Sequence, residues 1–367
     1  MTRGWSVTRR ALARRSLAVV VFASGRAFAQ HPEPAIEEYL RDSIGVTANE
    51  FADVHRGKVI TKLLPTLNPR DVTVFGIAQI ATTRDTFAPR LADARRIVAL
   101  RSPTYEIFDD PPTAANVARV AVDLTEYRGL KGCRVEHCDF KLPAATMRDF
   151  STHVDWTSDA ANLQVDSIAR ASLLHFVEDY RTAGGAAMVQ YDDNHAVKSY
   201  EAFVALLAQS GYLRDFVPAL RDYLEFYPTH RPASPPEGTR WSDVLFWEED
   251  RLPHLRPTLT VSQMVMYTTP AGTPLVAIKQ IYADHYFEGA LELTAAFDGP
   301  PTPKGPAMYL ITVRRYRFDA LPSGGFLNLR GRVRGRLADA VRESLERERR
   351  AAEDASATGT QVPAPPL

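Results

Sequence analysis

Between residues 143 and 318 the apolar positions change their period, and that change restricts the fold to one class. After Thr157-Ser158-Asp159, the residues Val165, Ile168, Leu173, Phe176, Val177 and Tyr180 recur at three- and four-residue spacing, one face of a helix, until Gly184-Gly185 stops it. Residues 199–209 and 213–227 repeat the pattern, and Pro218 predicts a kink in the second. With a short helix expected over 143–150, residues 143–227 read as an all-helical block. The proline-rich stretch 228–238 reads as a linker or surface loop. Beyond it the period falls to two. Residues 258–267, 274–284, 286–297 and 308–318 alternate as strands, separated by Pro/Gly turns at 270–273 and 299–306. The second and third run on with almost no break, which predicts one long bent strand. Strands and helices kept in separate runs make an α+β protein with an antiparallel sheet.

The two ends of the chain complete this pattern. Residues 72–81 alternate Val72, Val74, Gly76, Ala78 and Ile80 against Thr73, Phe75, Ile77 and Gln79, a strand. Thr82, Thr83 and Asp85 then offer cap chemistry for a helix carrying Phe87, Leu91, Ala94 and Val98. A last helix is expected over 328–348, striped by Val333, Leu337, Val341 and Leu345. The tail 351–367, rich in Ala, Thr and Pro, is expected to lack structure.

The first 29 residues read as an export signal. Arg9, Arg10, Arg14 and Arg15 precede the short apolar run 16–23, and Ala27-Phe28-Ala29 supplies small residues for cleavage before Gln30. The pair Arg9-Arg10 also fits a twin-arginine signal. The expected organisation is a signal peptide over 1–29, a single α+β domain over 30–350 with a helical insertion at about 100–230, and the tail. A periplasmic or secreted location follows. Past Gln30 no apolar run is long enough to span a bilayer. Forty-four basic residues against 44 acidic ones leave no overall field favouring nucleic acid.

An oxidising compartment makes one disulfide the simplest reading of the two cysteines, Cys133 and Cys138. So small a ring removes only about 2 kcal/mol of unfolded-state entropy, enough to pin a loop rather than hold a fold. Zinc ligation by His137 and Cys138 lacks the further donors it needs. Asp192-Asp193-x-His195 offers three donors but sits where turn residues are common. No metal site is therefore expected. No Gly-x-Ser-x-Gly, His-Glu-x-x-His, phosphate loop or dinucleotide fingerprint occurs, so no cofactor or catalytic residue is assigned.

Two resemblances arise from these segments. The run Leu-x-x-Cys-x-x-x-x-Cys-x-x-x-Leu from Leu130 to Leu142, with Tyr282-Ala283-Asp284-His285-Tyr286-Phe287, resembles an uncharacterised family of exported bacterial proteins. That likeness implies organisation and export, with no activity to transfer. The order of elements at the two ends is similar to the START-like helix-grip fold, a sheet wrapped around a long C-terminal helix that encloses an apolar cavity. It implies a pocket lined from the late strands.

On that basis Tyr282, His285, Tyr286, Arg314 and Tyr316 are the candidate ligand-binding residues. Tyrosines and a histidine supply hydrogen bonds within an apolar wall, and Arg314 can hold an anionic group or pair with a sheet glutamate such as Glu292. Strand alternation places Arg314 and Tyr316 on one face and Arg315 on the other. Three function classes remain open. One is a binder of a small apolar or lipid-like molecule; the second is a secreted hydrolase centred on His285; the third is an envelope interaction protein.

Overall fold

The computed structural model describes residues 35–230, 240–250, 256–319 and 329–357, together with Met1. The expected signal peptide beyond Met1, most of the proline-rich stretch and residues 358–367 lie outside the described residues.

Eight strands build one antiparallel sheet. They are β1 (Ile60–Leu64), β2 (Asp71–Ile80), β3 (Tyr105–Ile107), β6 (Arg240–Asp250), β7 (Thr258–Thr268), β8 (Pro274–Ala283), β9 (Phe287–Thr302) and β10 (Gly305–Phe318). A separate two-stranded ribbon pairs β4 (Gln190–Tyr191) with β5 (Val197–Lys198). The sheet order is β1-β2-β10-β9-β8-β7-β6-β3. Strand β2 lies inside the sheet, held to β10 from Met308↔Ile80 to Arg317↔Asp71, and all ten of its residues are buried.

Complete burial follows because both faces are covered. On one face lie α3 (Arg84–Leu91), α4 (Ala94–Arg101) and the long α10 (Leu329–Ala357). Val341 and Leu345 of α10 meet Val74 and Leu310 of the sheet in one core. The opposite face carries α1 (Ile36–Tyr39), α2 (Ala48–His55) and the chain between β3 and β6. That chain includes α5 (Ala144–His153), α6 (Ala161–Ala183), α7 (Ser199–Leu207), α8 (Gly211–Phe216) and α9 (Pro218–Phe226). Phe75, Val265 and Leu291 join Val177, Phe203 and Leu220 there. Among the described residues no helix is long and apolar enough to cross a membrane.

Several expectations are corrected, each for a local reason. The expected long bent strand is a hairpin: β8 and β9 pair from Leu275↔Ala295 to Lys279↔Leu291. The chain reverses at residues 284–286, where Tyr286 takes a left-handed φ of 59°. The first helix divides in two because Asp93 accepts from Arg96 N at 3.0 Å and caps a new start. The helix over 213–227 breaks at Val217, with Pro218 as the first residue of α9. Strand β6 is not anticipated, because Leu245 and Trp247 enter one core while Phe246 enters the other, erasing the alternation. Finally α10 continues to Ala357, so residues 351–357 are helical rather than part of an unstructured tail.

Gly76 sets how closely α10 approaches the sheet. A Cβ there would stand 2.6 Å from Val341 Cγ1 and 2.7 Å from Leu345 Cδ1. Glycine ordinarily weakens a strand, and here it makes room for the helix. Gly76→Val is expected to lower stability by about 2 kcal/mol or more through overpacking. Chemical denaturation would show it, and an unchanged midpoint would contradict the close approach.

Candidate functional site

Cys133 and Cys138 are joined in a disulfide. The loop between them folds back on itself, with Arg134 N donating to His137 O at 3.2 Å and His137 N to Arg134 O at 2.9 Å. His137 is exposed while both cysteines are buried, so the loop turns its apolar flanks inward. Leu130, Phe140 and Leu142 form a satellite core with Met147 and Phe150 of α5 and Val165 of α6.

The same segment docks on the reversal between β8 and β9. Lys141 N donates to Asp284 O at 2.7 Å, and the Phe140 and His285 rings lie 4.7 Å apart. The two stretches that carried the first resemblance thus touch in space. Between them, the sheet and α6 lies a cavity of about 360 Å3. Trp247, Leu259 and Tyr282 line it from the sheet, Leu130, Phe140 and Leu142 from the cysteine segment, and Leu173 and Phe176 from α6. Its walls are mostly apolar, as expected of a small-molecule pocket.

Its polar lining is biased in charge. Asp123, Glu126, Glu249 and Asp284 face Arg119 alone among basic lining residues. Arg256, outside the lining, approaches Glu126 with Nε at 3.0 Å. Asp284 Oδ1 accepts from Leu259 N at 2.9 Å and lies 2.9 Å from His285 Nδ1. Trp247 is held by its own polar handle, Nε1 donating to Asn116 O at 2.7 Å. Burial pushes the Tyr282 phenol well above its ordinary value, so it is a neutral hydroxyl in this space.

The structure divides the candidate residues. Tyr282 lines the cavity. His285 is buried behind Phe140 and does not line it. The Tyr286 hydroxyl accepts from Arg256 N at 2.8 Å. Arg314 and Tyr316 lie on the other face, beside α10, and line a second cavity of about 180 Å3. Arg314 Nε stands 3.1 Å from Glu292, the sheet-glutamate pairing weighed from the sequence. Arg101 completes the cluster, with Nε and Nη2 on Glu248 at 3.0 and 2.8 Å and Nη1 on Glu292 at 2.6 Å. Thus the smaller cavity under the long helix is lined by ion pairs, and the larger, apolar cavity lies on the opposite face.

His285 has Asp284 as a carboxylate partner on Nδ1, and its buried Nε2 has no hydrogen-bond partner among the described residues. Asp284 and His285 meet although adjacent in sequence because both lie in the reversal, outside β8 and β9, where side chains no longer alternate. Asp192 and Asp193 do not gather with His195. Asp192 Oδ2 accepts from Ala144 N at the start of α5, and Asp193 pairs with Lys141 at 3.7 Å. His195 instead approaches Glu288 and Asp319, with donor atoms within 4.8 Å of one another. Arg70 already engages Glu288, and Lys141 engages Asp319 at 3.1 Å, so these carboxylates carry their own counter-charges.

No protein-family model matches the sequence, and no curated protein matches it. Among solved structures, the chain is similar to the crystal structure of the Zhui aromatase/cyclase from Streptomyces sp. R1128. The two are 14% identical over 45% of this chain and 90% of that one, with a TM-score of 0.23.

Proposed function

We propose that this protein is a binder of a small apolar or amphipathic molecule, held in the cavity between the sheet and the cysteine segment. The carrying observation is that cavity: about 360 Å3, walled by Trp247, Phe140, Phe176 and leucines, with Tyr282 as a neutral polar group. The four lining carboxylates against one arginine favour a neutral or cationic occupant over an anionic one. The strand order from β2 through β10 to β3, with two helices after β2 and a long helix against the sheet, supports a helix-grip architecture. In this reading the residues between β3 and β6 are an insertion that builds a new pocket on the face away from α10. The closed disulfide supports the exported, periplasmic or secreted location inferred from the N-terminal segment.

Titration with N-phenyl-1-naphthylamine, a neutral fluorophore, tests this reading. Saturable binding is expected, with an anionic naphthalene sulfonate binding at least about tenfold more weakly, a gap of about 1.4 kcal/mol. Ser172→Trp, which fills the cavity from α6, is expected to abolish it, and Ser344→Ala on the opposite face to leave it intact. Binding that ignores Ser172→Trp would place the occupant elsewhere and sink the proposal.

A further inference from the structure

The three arginines of β10 are not alike. Arg314 pairs with Glu292, and Arg317 holds Asp71 through Nε at 2.7 Å and Nη2 at 2.9 Å. Arg315 points to the other face from Arg314 and is only 8% exposed. Its Nη2 donates to Gln209 O at 3.1 Å, while its Nε has no hydrogen-bond partner. No carboxylate among the described residues lies within ion-pairing distance of it.

Beside it, Ser210 is 2% exposed and its Oγ is also without a partner. Arg315 and Ser210 line the same cavity of about 50 Å3, whose other walls include Leu40, Phe75, Phe297 and Ile311. Tyr39 lines it too, but burial pushes its phenol up, so it supplies no negative charge near neutrality. Burial brings Arg315 down only to about 10, so the guanidinium stays charged at physiological pH. A buried cation with an idle donor, next to an idle hydroxyl in a space with apolar walls, lacks its counter-ion.

We propose that this cavity is a binding site for a small monocarboxylate, its oxygens on Arg315 Nε and the Ser210 hydroxyl. Its short alkyl end packs against Leu40 and Phe297. One water needs about 10–15 Å3 by this measure, so the space takes roughly three to five non-hydrogen atoms. That is the size of acetate or propionate. The site is separate from the large cavity, with which it shares no lining residue.

The test is thermal denaturation of the whole protein in sodium acetate, propionate, hexanoate or chloride at matched ionic strength. Acetate and propionate should raise the midpoint saturably, hexanoate and chloride much less. Arg315→Met should abolish the response, and Ser210→Ala should weaken apparent affinity about threefold to tenfold. Should Arg315→Met fail to fold, the Ser210→Ala shift decides the question by itself. An equal response to chloride would overturn the carboxylate assignment, and a non-saturable response would overturn the site.

Discussion

Replacing Lys279 by methionine is expected to stabilise the protein by about 3 kcal/mol below pH 7, although it removes the only side-chain charge buried at the centre of β8. Lys279 is fully buried beneath the helices of the insertion face. Its Nζ donates to Leu224 O at 2.9 Å and lies 4.4 Å from the centre of the Phe203 ring and 5.3 Å from that of Tyr180. Burial pushes the amine from 10.5 down to about 7, with Glu225 opposing the fall. At about 1.4 kcal/mol per unit that is roughly 5 kcal/mol against the charged form. Loss of the hydrogen bond and ring contacts takes back about 2 kcal/mol.

The pH dependence has a definite sign. Between about 7 and 10.5 the unfolded chain holds a proton that the folded one has released, so this residue makes stability rise with pH across that window. Below about 7 both states are protonated and the penalty is constant. Urea denaturation of both proteins at pH 6, 8 and 10 should therefore show the methionine advantage largest at pH 6 and nearly gone at pH 10. A wild type more stable than the variant at pH 6 would show that the ammonium is well accommodated.

The opposite outcome is expected for Arg101→Met. The substitution leaves Glu248 and Glu292 facing one another under α10 with Arg314 as the remaining cation, and removing one partner of a buried cluster costs about 3–5 kcal/mol. Burial by itself would raise the Glu292 carboxyl, but Arg314 and then Arg101 outweigh it and hold it below its ordinary value. In the wild type this stabilises the fold above the ordinary carboxylate value and is lost as pH falls through the depressed one. In the variant the carboxyl loses the Arg101 part of that support, so its deficit should be large at neutral pH and shrink in acid. The double variant Arg101→Met with Glu248→Met keeps the Glu292–Arg314 pair, and much of the loss should return. A deficit that neither acid nor the second substitution relieves would mean that the cost is one of packing.

The cluster also explains why the larger pocket is not under the long helix. Arg101 from the end of α4 reaches carboxylates on β6 and β9, so charge bridges part of the space between α10 and the sheet. Of this cluster only the Arg314–Glu292 pairing was legible in one dimension. Arg101 and Glu248 are separated by a long stretch of chain, and each reads in isolation as an ordinary surface residue. Trp247, on a strand whose alternation is erased, lines the apolar cavity.

Local physics settled whatever depends on neighbours in the chain. Strand alternation over 72–81 and 308–318, the helical stripe from Val165 to Tyr180, the opposite faces of Arg314 and Arg315, and the Cys133–Cys138 pairing are all short-range consequences of residue type and spacing. Tertiary packing decided the rest. A strand buried on both faces, such as β6, loses the alternation that would reveal it, and a proline or a capping aspartate divides a helix without disturbing its stripe. The pocket lies where the cysteine segment, α6 and the β8–β9 reversal converge, a meeting fixed by long-range burial rather than by any local pattern. The same burial penalises the charges of Lys279 and Arg315, because a side chain's desolvation is set by what the rest of the chain packs around it.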